Sequence, residues 1–165
     1  ESAKQLIKPA IEGLDRHDKN LELMAKLVLN ANLIFVSFIQ KDFETTIDRS
    51  LALQQLDKAE RRQDVLHFAM VMNCMAHYEL GNFELLEYQL DNFSSKFKKK
   101  EKTEYELLVM KILKQLIKAP DKQSQKEILK TYLKPLQETP NHFADYKSKE
   151  NFSFVDWAEE KIKTL

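Results

Sequence analysis

The sequence predicts an all-α protein, a right-handed superhelical stack of about three helical hairpins with short flanking helices. Three observations carry that expectation. Only two glycines and four prolines interrupt 165 residues, so few points force the chain out of a helix. Leu, Lys, Glu, Gln and Ala dominate, all good helix formers, and no strand-like alternation bounded by turn residues is present. Polar turns recur at Asp42, Asn82 and Asp121, forty and thirty-nine residues apart. Helix pairs repeating at that period mark a solenoid, in which each hairpin buries its apolar face on its neighbours.

The elements follow in order. Residues 3–14 form a leading helix with Pro9 as its break or kink. Gly13 and the polar run Asp15 to Asp18 make a connection, and Asp18 is placed to cap the next helix. The first long helix, about 19–39, carries Leu21, Met24, Leu27, Val28, Ala31, Ile34, Phe35 and Phe38 at steps of three and four. Leu23, Leu29, Leu33, Val36 and Ile39 widen this stripe until little polar face remains, which predicts burial on more than one side. Its partner begins near Asp42, with Phe43, Ile47, Leu51 and either Gln54 or Gln55 spacing the buried stripe, helped by Leu53 and Leu56, closing a hairpin over about 19–57. The second hairpin spans about 64–99. Its first helix holds Val65, Phe68, Val71, Met72 and Met75 and ends at Gly81, which suits a left-handed C′ position. Its second helix points Leu86, Leu90, Phe93 and Phe97 inward.

The third hairpin spans about 103–136. Thr103 and Glu106 form a Thr-x-x-Glu capping box, followed by Tyr105, Leu108, Ile112, Leu113 and Leu116 on the inner face. Ala119-Pro120-Asp121 breaks the chain, and Ile128, Leu129, Tyr132 and Leu133 return. Pro135 and Pro140 mark the end of that helix. A capping helix over about 153–164 starts at Ser153 and packs Phe154, Trp157, Ala158 and Ile162 on the third hairpin. The whole of 1–165 reads as one domain, a piece of a longer protein, since the chain starts at Glu1.

Twenty-six basic side chains balance twenty-six acidic ones, which removes any general pull towards nucleic acid or an anionic membrane. The richest apolar run, Leu27 to Ile39, is too short and too broken by Asn30, Asn32 and Ser37 to cross a bilayer. The single cysteine, Cys74, fits a reducing compartment, hence a cytoplasmic setting.

The stretch Tyr78-Glu79-Leu80-Gly81-Asn82-Phe83-Glu84 resembles the tetratricopeptide repeat family, with its aromatic residue followed by a Gly-Asp/Asn-aromatic turn. Ala76 and Leu90 sit as packing residues. The chain departs from the family at Asn73, Cys74, Leu86 and Lys98, and residues 27–58 keep only Lys41-Asp42-Phe43-Glu44 of the turn. The resemblance covers two of the three hairpins. It implies an α-solenoid whose role is protein–protein interaction, an implication by analogy. It also implies that the first helix of each hairpin lines a concave groove. Those positions are Phe35, Phe38, Phe68, Val71, Met75 and Tyr78.

Such side chains are too apolar to stay wet. The leading helix, the rest of the parent chain, a docked peptide or helix, or self-association would cover them. Other candidates have plainer readings. His67, Cys74 and His77 share a helix, but no second pair of ligands completes a metal set, and free cysteine is usually core. Met70, Met72 and Met75 read as core filling rather than an adaptable surface. Lys96 to Lys102 with Phe97 could suit RNA or phosphate, yet lysines at a helix end also complement its dipole. No phosphate loop, nucleophile elbow or HExxH motif appears. The expected function is a non-catalytic module without cofactor or metal that holds a protein or peptide. The alternative is an RNA- or phosphate-binding protein using the lysine cluster.

Overall fold

In the computed structural model the described residues are 3–56, 62–96, 102–140 and 153–165. They contain eight α-helices: α1 Ala3–His17, α2 Leu23–Ile39, α3 Phe43–Gln55, α4 Gln63–Glu79, α5 Phe83–Lys96, α6 Glu104–Leu116, α7 Lys122–Glu138 and α8 Phe154–Thr164. There is no strand among the described residues. None of these helices is long and apolar enough to cross a membrane. The chain divides into two compact units, 1–81 and 82–165. Their boundary falls at the Gly81–Asn82 turn, inside the expected hairpin over 64–99.

In the first unit α2 packs against α1, α3 and α4, and α3 against α4. The α2–α3 turn is closed by Asp42, whose Oδ1 accepts from Thr45 N at 3.2 Å. Lys41 takes a left-handed φ of 59° there, and Gly81 takes 72° at the equivalent place after α4. Two expectations are corrected in this unit. Of the break or kink expected at Pro9, the break does not occur, and α1 continues to His17. Pro9 lies on the exposed side, where water can serve the Gln5 carbonyl that the missing N–H leaves free. Asp18 does not cap α2. It opens a single 3₁₀ turn, Asp18–Asn20, and its carboxylate pairs with Lys26 Nζ at 2.9 Å.

The buried face of α3 is also rotated from the expected one. Leu51 is exposed while Thr46 and Ser50 are buried, and Leu53 is buried as expected. The hydroxyls explain this. Ser37 Oγ on α2 lies 3.1 Å from Thr46 Oγ1 on α3. Each hydroxyl also bonds a carbonyl one turn back, Ser37 to Leu33 at 2.6 Å, Thr46 to Asp42 at 2.9 Å and Ser50 to Thr46 at 2.7 Å. With their polar atoms satisfied, small side chains bury cheaply at a helix crossing. α4 is buried at every residue from Val65 to Tyr78, which matches its expected central place.

In the second unit α6 packs against α5 and α7, and α7 against α8. Leu86, Leu90 and Phe93 of α5 are buried, as are Tyr105, Val109, Ile112, Leu113 and Leu116 of α6. Leu108 is only half-buried, and Val109 and Met110 take the inner positions. The capping box forms as the sequence predicts: Thr103 Oγ1 accepts from Glu106 N at 3.2 Å and Glu106 Oε2 from Thr103 N at 2.8 Å. Asp121 caps α7, its Oδ1 accepting from Ser124 N at 2.7 Å, and α7 runs past Pro135 to Glu138. α8 brings Phe154, Trp157 and Ala158 into the core. Phe154 N donates to Tyr105 Oη at 3.2 Å, which joins α8 to α6.

Candidate apolar groove

The open apolar surface of the first unit lies between α1 and α2. On α1, residues at steps of three and four line one face: Leu6, Ala10, Gly13 and His17, with Ile7 and Leu14 beneath. On α2 the facing wall is Leu29, Asn32, Leu33 and Val36, and Leu21 closes the end. Ile7, Leu14 and Leu33 form a buried floor, whereas Leu6 is 61% and Leu29 41% exposed. The space enclosed is about 620 Å³, within the range of ordinary binding clefts. Nothing lies within 4 Å of where a Cβ on Gly13 would sit.

Two charged contacts hold the walls. Arg49 on α3 makes a two-pronged bond to Asp15, Nη1 to Oδ1 at 2.8 Å and Nη2 to Oδ2 at 3.3 Å. This paired geometry fixes orientation as well as distance. The Lys26–Asp18 pair anchors the 3₁₀ turn to the start of α2. Inside the groove the polar groups are few: the His17 ring and the Asn32 amide.

The apolar surface continues along α2 beyond the groove. Met24 is 49%, Val28 48% and Ile39 45% exposed, and Phe35 and Val36 are half-buried. No charged residue occurs between Lys26 and Lys41. Contiguous exposure of this kind is uncommon on a water-facing helix, where the outer side is ordinarily polar. The burial of α2 on more than one side expected from its pattern is met, since Leu27, Ala31, Leu33, Ile34 and Phe38 are buried against α1, α3 and α4, while its outer side stays open.

The six groove positions expected from the sequence lie on the same two packed helices, α2 and α4. Phe38, Phe68, Val71, Met75 and Tyr78 are buried, and Phe35 is half-buried. Phe38 meets the Phe43 ring edge-on at 5.3 Å between centroids. These side chains serve as core, and the open apolar surface is on α1 and the outer side of α2. The signal for it was present in the sequence: the charge-free run of α2, and Leu6, Ile7, Ala10 and Leu14 at helical spacing across Pro9.

Other candidate groups have defined surroundings. Burial pushes the Cys74 thiol up to about 12, so at neutral pH it is protonated and a poor metal ligand or nucleophile. Burial also lowers the pKa of His77. Among the described residues no three His, Cys, Asp or Glu side chains gather as a metal site. Of the expected lysine cluster, residues 97–101 lie outside the described residues, as does the Lys96 side chain. Lys102 Nζ donates to the Ser94 carbonyl at 2.9 Å and stands 5.3 Å from the centre of the Phe93 ring. No family model, curated protein or solved structure matches this chain.

Proposed function

We propose that the chain is a non-catalytic interaction module built from tetratricopeptide-repeat-like hairpins, and that it holds an amphipathic helix in the groove between α1 and α2. The observation that carries this reading is the open, charge-free apolar surface of Leu6, Leu29, Val28 and Val36 beside a packed core. An apolar slot between two helices takes the apolar face of a third, whose residues at i, i+3, i+4 and i+7 fill it. The exclusion of water from Leu6 and Leu29 supplies the driving force, and Asn32 and His17 fix the register. A bond of this kind is insensitive to salt, in contrast to phosphate binding through lysines.

The test is selection of binding helices from a displayed library of amphipathic sequences, with the folded chain as target. Binders are expected to survive high salt and to be lost on Leu29→Glu, with circular dichroism unchanged. Binders that wash off in salt, or that ignore Leu29→Glu, would remove the groove as the site.

A further inference from the structure

We infer that the helix occupying this surface is α2 of a second copy of the chain, so that the protein forms a two-fold symmetric dimer. The inference rests on the groove reading above and names its occupant. A two-fold interface sets each patch against itself, so every charge near the axis meets its own like charge. The outer side of α2 avoids that penalty from Leu27 to its end at Ile39, since no ionisable side chain lies between Lys26 and Lys41.

A single polar residue, Asn32, is exposed in the middle of the apolar stripe that runs from Met24 to Ile39. An amide both donates and accepts, so it can pair with its own copy across a two-fold axis, which a carboxylate or an ammonium cannot do. Buried asparagines of this kind specify register and partner number in paired helices.

Antiparallel pairing centred on Asn32 brings Val28 against Val36 of the second copy, and Leu29 against its Phe35. Each of these four is at least partly open in the single chain. α2 has 17 residues, about 25 Å of helix at 1.5 Å per residue, so the stripe offers several turns of contact. The groove beside it gives the second copy's α2 ridge a place to seat.

The experiment is sedimentation equilibrium of the whole chain over a wide concentration range. The expected mass is twice 19.5 kDa. Val28→Asp is expected to give a folded monomer, because this half-exposed position contributes little to the core. Asn32→Cys is expected to cross-link to a covalent dimer on mild oxidation. Tyr88→Cys, at a 67% exposed position on α5, is expected not to. The native Cys74 is buried and does not compete. The cross-link carries the test even if Val28→Asp loses helicity.

A native chain that stays monomeric throughout would overturn the dimer. So would a dimer indifferent to Val28→Asp in a folded variant, or a Tyr88→Cys variant that cross-links as fast as Asn32→Cys. A monomer that still takes the displayed helices removes the second copy and leaves the groove. A monomer that takes none removes both.

Discussion

Cys74 is 1% exposed, with its thiol pushed up to about 12 by burial. A protonated, enclosed thiol is inert. The native chain is expected to resist alkylation at neutral pH and to react fully once denatured, as intact mass would show. Rapid labelling of the folded chain would contradict its placement. The two left-handed turn residues differ in a testable way. Gly81 at φ 72° has no Cβ to strain, so Gly81→Ala is expected to destabilise by about 1 kcal/mol, the cost of a left-handed conformation for a side-chain-bearing residue; denaturant unfolding would read it. Other residue-level features escaped the sequence reading. Ser37, Thr46 and Ser50 look like a polar face in one dimension. Only the structure reveals that each spends its hydroxyl on a carbonyl one turn back and so enters the core.

Among the elements, helix existence was legible and helix facing less so. α4, α6 and α8 occupy the positions that the apolar spacing and the Thr103, Gly81 and Ser153 signals mark. Thr103→Ala is expected to cost about 1 kcal/mol, since it removes the acceptor for Glu106 N and leaves that N–H uncapped, while the backbone N–H of residue 103 still donates to the Glu106 carboxylate. A calorimetric melting temperature would measure it, and an unchanged value would mean that the box contributes nothing to α6. α2 was the hard case. Its hydrophobicity on nearly every side does not reveal which side faces water, because periodicity locates a face only where polar residues define the other. Pro9 misled for a related reason: its effect depends on whether the freed carbonyl meets water or core, which is a tertiary fact.

At the scale of the whole molecule, pH sets two limits on stability. Burial pushes the phenols of Tyr78 and Tyr105 up to about 12, together with the Cys74 thiol. A raised acid retains its stabilising contribution below its ordinary value, 9.0 for the thiol and 10.0 for the phenols. That contribution is lost as pH climbs towards 12. On the acid side the signs reverse. Burial holds His77 below 6.5, the Lys114 bond lowers Asp91, and the Ser124 backbone bond lowers Asp121. Each contributes above its unfolded value and ceases to do so as pH falls through its folded one. Stability is therefore expected to form a plateau around neutrality with both edges falling, as denaturant midpoints across pH would show. A midpoint that kept rising above pH 10 would contradict the buried phenols. The division into two units was not legible: the periodic turns make 1–165 read as one uninterrupted repeat, and only contacts reveal a boundary at Gly81.

The charge-free stretch of α2 also matters before the fold exists. Asn32 to Ile39 reads NLIFVSFI, a run rich in β-branched and aromatic residues with no charge and no proline. Such runs are the ones that stick to one another as bare strands. On the ribosome it emerges ahead of α3 and α4, the helices that will cover its inner side. Lys26 and Lys41 stand at its ends in the position of gatekeepers, so the nascent chain carries a repelling charge on either flank of its stickiest segment while it waits for its partners.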